Sequence, residues 1–483
     1  MKIGNLVSKT EELEAVTFAH PTRRFIGFAL LLAWHYNLWF LTDSFVGAAL
    51  LDDAVTYAWL VALCAAAITF FGAALTLGRE HHLCDVKHLH WFLTAAASIA
   101  TLALTLLGFT FPTDMIAYLL AVVVGVTNAL LWIMWGELYA RTKTSFSVAR
   151  IGSVIGAVML ICSLVCIVLP TGIASVFIAL LPVAACLQFK QGLKDADGKP
   201  YPTLLPKTTA DKAARPMLVV CTTSFVAAVA CYYLVAIIPW EDLPGADYAF
   251  TFGSMGGAIL LCGIGLVSKL SKERLNIYRV LPWLLVLVTV AFGLFLAEEW
   301  LYSPSFFLAL AVVAILEVLL VMYFGVLGMK GYVTVGYAFG LSGAFIRLGI
   351  ATGNGIALCY EANPQFAAIA TDPTAIIFIC LLAAVIIPLV RQEYQIGKLM
   401  APPANESSQE RRIKEMAAEF SFSARETEIV GLIGRGFTTD NVAKKLVISP
   451  YTVNTHIRHV YEKMGIHRRS ELIDYINRQG DDM

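Results

Sequence analysis

Apolar residues come in runs about the length of a bilayer crossing through the first 390 residues and then stop. Divided at their Gly, Pro and charge breaks, the runs predict twelve spans at about 24–42, 55–77, 90–109, 115–136, 151–169, 172–188, 217–238, 249–268, 280–298, 304–327, 335–358 and 373–390. At a rise of 1.5 Å per residue each is about long enough to cross about 30 Å of hydrocarbon. The fifth and sixth are parted only by Pro170 and Thr171. The connections alternate in charge. One set carries Arg23, Arg24, Arg79, Lys87, Arg141, Lys143, Arg150, a run from Lys190 to Arg215, then Lys269, Lys272, Arg274, Arg279, Lys330, Arg391 and Lys398. The other set, from DSFVGAALLDDA to EANPQFAAIAT, has no Lys or Arg. Positive charge is retained on the cytoplasmic side, so both termini are expected there, in a multi-pass protein of the cell membrane.

Composition agrees. Of 483 residues 58% are hydrophobic and 14% charged, against about 25% charged in soluble proteins. This excludes a soluble enzyme of ordinary composition. Thirty-five Lys and Arg balance thirty-five Asp and Glu, so the net charge points neither to nucleic acid nor to an acidic partner. The ten cysteines lie nearly all within apolar runs, which is not a disulfide framework. The N-terminal segment has no small-residue cleavage site behind its first apolar run, so that run is expected to stay as a helix.

The longest inner connection, 189–216, divides the spans six and six. In span count, spacing and polarity, residues 24–390 resemble the major facilitator superfamily. That resemblance implies a central cavity lined by the first, fourth, seventh and tenth helices. Polar residues at lipid depth are costly and so mark candidate sites. His35 and Asn37 lie in the first span, Asn128 in the fourth, Tyr232 and Tyr233 in the seventh and Glu317 in the tenth. Arg347 lies deep in the eleventh. Counted from the inner ends, Glu317 lies about 15 Å deep and Arg347 about 18 Å deep, so the two can pair near the midplane. Such a pair serves either as a ligand- or proton-responsive element or as a structural neutralisation of two buried charges. For His35 and Asn37 the plain alternative is an interhelical hydrogen bond.

One inner loop, REHHLCDVKHLH, holds four of the nine histidines. If it extends the third helix inward, His81, Cys84 and His88 fall on one face at a spacing compatible with a zinc or copper site. The alternative is a basic loop that meets anionic headgroups. No metal or other cofactor is expected. No phosphate-binding loop, nucleophile elbow or paired metal motif occurs, and the Gly-rich stretches of the eighth and eleventh spans read as close helix contacts. Catalysis is not expected.

After Val390 the composition turns polar through RQEYQIGKLM and APPANESSQ, which reads as a linker. A small soluble unit follows. Ser423 caps a first helix, with Glu426 three residues on to complete a capping box and Gly436 at its end. Thr438 or Thr439 caps a second. Ser449, Pro450 and Gly465 mark the cap, first turn and stop of a third, and a fourth runs over about 469–478. Short helices joined by tight turns suggest a helix-turn-helix plan. On the third helix Val453, Ile457, Val460 and Met464 form the core side, leaving Tyr451, Asn454, Thr455 and Arg458 opposite. Those side chains suit the major groove, and Lys444, Lys445, Arg468 and Arg469 suit phosphates. Periodicity alone fits a solvated polar face equally well.

Over about 420–478 the chain resembles the LuxR/FixJ-type DNA-binding domain. Ser449, Thr452, Val453, His456, Val460, Lys463, Met464 and Gly465 carry the match, with Arg469 and Leu472 beyond. The resemblance implies base contacts by Asn454, Thr455 and Arg458, phosphate contacts by Thr452, Lys444 and Lys463, a structural role for His456, and pairing of two copies through the fourth helix. The expected fold class is all-α: about twelve transmembrane helices (6+6) with a small C-terminal four-helix helix-turn-helix domain. The expected divisions are 1–23, a cytoplasmic segment; 24–390, the membrane domain, with halves 24–188 and 217–390; 391–414, a linker; and 415–483, the DNA-binding domain. The function expected is transcription regulation from the membrane. Double-stranded DNA, the lipid bilayer and an unknown small-molecule or protein signal are the partners, and the chain is expected to form a homodimer. The rival is a secondary transporter of a small solute with a C-terminal regulatory or interaction domain.

Overall fold

The computed structural model describes residues 23–41, 45, 53–77, 81–109, 114–142, 148–239, 248–270, 280–400, 413, 416–417, 419–434 and 437–477. Residues 1–22, Arg79, Lys143, Lys272, Arg274, Arg279, Gly436 and the linker stretch 401–410 lie outside them. All regular structure among the described residues is helical, in two compact units, Met1–Met400 and Ala401–Met483.

The first unit contains α1 (Arg23–Phe40), α2 (Asp53–Thr76), α3 (Leu89–Leu107), α4 (Met115–Arg141), α5 (Val148–Val168), α6 (Thr171–Asp195), α7 (Lys207–Ile237), α8 (Ala249–Leu270), α9 (Val280–Ala297), α10 (Tyr302–Met329), α11 (Val335–Glu361) and α12 (Pro364–Met400). A helix lies on each predicted span. Eleven are long and apolar enough to cross a membrane among the described residues, and Phe25–Phe40 is a shorter apolar helix. Ile68, Leu75, Phe92, Val168 and Ile369 are exposed on the unit's surface. In water so many exposed large hydrophobics would be an aggregation surface; against lipid tails they cost nothing. The chain is a multi-pass membrane protein.

Pro170 separates α5 from α6 as the latter's N-cap, because its ring cannot continue the preceding hydrogen-bond ladder. Two boundaries differ from the sequence reading. Residues 391–400, expected to start the linker, continue α12: Ile396 and Leu399 are buried, and Lys330 Nζ donates to the Leu399 carbonyl at 2.6 Å. The inner connection 189–216 shrinks to 196–206, since α6 runs on to Asp195 and α7 begins at Lys207. Within the unit, α1 packs on α5 and α6, α3 on α4 and α6, α9 on α10 and α12, and α7 on α12. Two seams join the six-helix groups, α5 against α8 and α2 against α11. Nearly all of α10 is buried.

Small residues set the spacing around α11. A Cβ placed on Gly340 would lie 2.6 Å from the Phe70 carbonyl oxygen of α2, and one on Gly349 would lie 2.8 Å from the Phe225 carbonyl oxygen of α7. No side chain fits there, so both neighbours approach α11 backbone to backbone.

The second unit holds α13 (Ala424–Gly434), α14 (Thr439–Leu446), α15 (Pro450–Met464) and α16 (Arg469–Asn477) around Ile429, Val430, Ile433, Val442, Val453, Val460, Leu472 and Ile476. The predicted caps form. Ser423 and Glu426 make the reciprocal box at 2.6 and 3.2 Å, and Thr438 caps α14. Ser449 accepts from Thr452 N–H at 3.0 Å, and Gly465 ends α15 at φ +67°. Val453 and Val460 are fully buried, whereas Ile457 and Met464 close the edge of the core.

Gly349→Val is expected to lower stability by about 1–3 kcal/mol, through overpacking of the α7–α11 contact. Gly355→Ala, with open space at its Cβ, should be neutral. Thermal unfolding of the purified protein in detergent checks both, and equal midpoints would refute the close-contact account.

Candidate DNA-binding face and buried ion pair

In the second unit α14, a turn of three residues and α15 form the helix-turn-helix. Val447 takes the turn's left-handed conformation at φ +54°. Along the outer side of α15, Tyr451, Asn454 and Arg458 are exposed and Thr455 is half-buried, its hydroxyl donating to the Tyr451 carbonyl at 3.0 Å. Arg458 meets Glu462 at 3.7 Å with both side chains largely exposed, a pair too weak to hold the guanidinium. The six phosphate candidates divide. Lys444 and Arg468 are exposed, and Thr452 shares its hydroxyl with Ser449 at 2.8 Å. Lys445 lies over the Phe437 ring at 4.6 Å. Lys463 and Arg469 are turned to internal work: Lys463 donates to Glu426 at 2.7 Å and to the Ser421 carbonyl at 2.9 Å, and Arg469 donates to the Phe437 carbonyl.

Glu426 is therefore both a helix cap and the anchor of Lys463. Burial pushes its pKa upward, but the Lys463 ammonium and the Ser423 N–H and hydroxyl outweigh that and hold it at about 2.

In the membrane unit Arg347 Nη1 and Glu317 Oε1 are 2.7 Å apart, both side chains essentially without exposure. The predicted pair therefore exists, and it has partners the sequence reading missed. The Tyr36 hydroxyl donates to Glu317 Oε2 at 3.1 Å, the Trp132 ring lies 4.9 Å from the guanidinium, and the Phe70 ring lies 5.8 Å from it. Nε and Nη2 of Arg347 have no hydrogen-bond partner among the described residues. The remaining candidates divide: His35 lies within electrostatic reach of Arg347, and Tyr232 of Arg347 and Glu317, whereas Asn37 and Tyr233 bond elsewhere. Half-buried His35 packs edge-on to Tyr36, Asn37 donates to the Ala33 carbonyl of its own helix at 2.7 Å, and Asn128 is buried, its Oδ1 without a hydrogen-bond partner among the described residues. Tyr233 donates to the Thr371 carbonyl at 3.3 Å and packs on Phe378, in a cluster of its own. Tyr232 packs tilted against Trp59, with ring centroids 5.5 Å apart, and lines a cavity of about 140 Å³ with Trp39, Asp53, Trp59, Asn354 and Glu361.

The histidine-rich loop does not extend α3. Leu83–Asp85 forms a 3₁₀ turn and His88 sits at φ +61°, so His81, Cys84 and His88 share no helical face, and His81 and His88 are exposed. Burial pushes the Cys84 thiol well up, opposing the thiolate a metal requires. The loop is held instead by Glu137, a fully buried carboxylate on α4 that accepts N–H bonds from Leu83 and Cys84 at 3.1 and 2.8 Å. Beside it His82 stacks on Tyr201 at 3.4 Å, and Arg141 joins Asp85, the Ala196 and Lys199 carbonyls and the Tyr201 ring. A glutamate four residues before its helix ends reads from sequence as an interfacial charge, which is why it escaped notice.

One unit is thus a multi-pass helical membrane body and the other a helix-turn-helix head. Residues 420–476 match the family described as bacterial regulatory proteins, luxR family, and the head is a LuxR-type helix-turn-helix domain. It is similar to a Mycobacterium tuberculosis chain carried under the name of an HTH-type transcriptional regulator, 40% identical over 60 residues, 12% of this chain and 7% of that one. It is also similar to the HTH-type transcriptional regulator MalT of Yersinia pestis, 31% identical over 86 residues, 18% of this chain and 9% of MalT. The chain spans less than a tenth of the length of these curated relatives. In structure the chain is similar to the peptide transporter POT, with 12% identity and a TM-score of 0.49, covering 79% of this chain and 95% of that one. For the E. coli fucose:proton symporter the identity is 15% and the TM-score 0.48, with 78% and 99% covered.

Removing one partner of the buried pair should cost more than removing both. Glu317→Ala is expected to destabilise by about 3–5 kcal/mol, and the double change Glu317→Leu with Arg347→Met by much less. Thermal midpoints in detergent decide, and a Glu317→Ala protein as stable as wild type would sink the claim. In the head, Glu426 has a depressed pKa, so its stabilisation is complete above about 4.5 and is lost as pH falls toward about 2. The wild-type head should lose stability across that window more steeply than Glu426→Gln, measured by acid titration of helical circular dichroism; parallel curves would contradict it.

Proposed function

We propose that this protein is a membrane-anchored transcription regulator, in which the helical membrane unit registers a signal and controls a DNA-binding head on the cytoplasmic side. The observation that carries this reading is the exposed row Asn454 and Arg458 on α15, seated by the predicted caps within a LuxR-type domain. Asn454 and Arg458 have the chemistry for bidentate contacts to adenine and guanine, and the Thr455 methyl suits thymine. Lys444, Lys445, Thr452 and Arg468 would fix position on phosphates, while Lys463 and Arg469 keep their structural bonds. Pairing of two heads through α16 would match a two-fold operator and raise the local concentration of the second half-site.

The expected divisions follow: a cytoplasmic N-terminal segment, a sensor in two six-helix halves, a linker and the head, in the cell membrane with both termini cytoplasmic. Alternation of Lys and Arg between connections supports that orientation. The cavity that Tyr232 lines supports a small-molecule signal. Such a ligand acts only by binding two arrangements of the unit unequally.

Genomic fragments are to be selected with the full-length protein in nanodiscs at low salt. The wild type is expected to enrich discrete sites. Arg458→Ala should lose about 1–3 kcal/mol on them and relax one base position, whereas Lys444→Ala should weaken all sites alike and flatten the salt dependence. If the wild type enriches no sequence, the regulatory reading fails.

A further inference from the structure

Three groups able to ligate a transition metal converge in the head from two helices. Glu426 on α13 meets His456 and His459, which stand one turn apart on α15, and one ligand atom from each lies within 4.8 Å of the others. Nδ1 of His459 is 4.0 Å from Oε1 of Glu426. The other carboxylate oxygen, Oε2, already accepts from the Ser423 N–H and from Lys463. Lys463 is therefore a neighbour of the site, not a rival for the same oxygen.

We propose that Glu426, His456 and His459 form a three-ligand site for a divalent metal ion of the zinc class. Two imidazoles with one carboxylate suit zinc and its borderline neighbours, while calcium and magnesium prefer all-oxygen shells. Metal–ligand distances of about 2.0–2.2 Å place tetrahedral ligand atoms about 3.3–3.6 Å apart, so the His459–Glu426 pair at 4.0 Å must close by less than about 1 Å and the widest pair of the three, within 4.8 Å, by at most about 1.5 Å. The movement falls to His459, whose side chain is 46% exposed, while Glu426 stays fixed by its capping box. The carboxylate arrives ionised and oriented by an ammonium on its far oxygen, the outer-shell support that ligating carboxylates commonly have. A bound ion would tie the first turn of α13 to the middle of α15, the helix that carries Asn454, Thr455 and Arg458. The site stands independently of DNA binding, since it rests on side-chain chemistry alone.

Cobalt(II) titration of the full-length protein in detergent, without a polyhistidine tag, tests it. Tetrahedral nitrogen and oxygen ligation is expected to give visible absorption bands without thiolate charge transfer, saturating at one ion per chain and displaced by zinc. His459→Gln, at an exposed position, should fold normally and weaken binding by at least about tenfold, the loss that even an outer-shell change brings. Cys84→Ser with His88→Gln should leave the titration unchanged. The proposal is overturned if no such bands form, if they persist in His459→Gln, or if the loop variant removes them.

Discussion

A guanidinium with no solvent contact cannot be held in the middle of a membrane helix without an anion beside it. Arg347 is in that position on α11, and its needs organise the centre of the membrane unit. Glu317 reaches it from α10, Tyr36 from α1 completes the carboxylate's shell, and Trp132 from α4 faces the cation. Four helices are thereby tied at one depth. The glycines of α11 complement the charge: they let α2 and α7 come to backbone distance on a helix whose ion pair is itself essentially without exposure. Charge sets the register of α11 and small residues set its spacing. Glu137 repeats the device nearer the helix ends, where a buried carboxylate binds loop N–H groups in place of a guanidinium.

The head applies the same economy in water. Glu426 caps α13, anchors Lys463 and faces His459, so one side chain links the first helix to the third. That arrangement sorts the basic residues. Lys463 and Arg469 are drawn into the domain's own hydrogen bonds, while Lys444, Arg458 and Arg468 remain on its surface. Sequence chemistry treats all of them as equivalent cations; the bonds they make separate structural from available charge.

Much of this was legible in one dimension because the signals are strong and local. Apolar runs report spans, Ser423 with Glu426 and Ser449 with Gly465 report helix ends, and two charges at similar depth in apolar helices have few partners but each other. Signals that need three dimensions were missed. Tyr36 lay between two selected residues, yet it is Tyr36 that bonds the Glu317 carboxylate, while Asn37 turns to the Ala33 carbonyl and His35 packs edge-on to the Tyr36 ring, since successive residues on a helix diverge by about 100°. The prospective metal face in the loop depended on a continuous helix that the turn at Leu83–Asp85 interrupts.

By itself, then, the sequence determined the membrane class, the number of helices on the apolar runs, the capped helix-turn-helix and the polar row on its third helix. Each depends on periodicity and caps, which are properties of neighbouring residues. Only the tertiary structure decided that Tyr36 and Trp132 complete the Arg347 site, that Glu137 grips the histidine loop, and that Glu426, His456 and His459 converge. These are contacts between residues distant along the chain, and their partners are chosen by how whole helices pack.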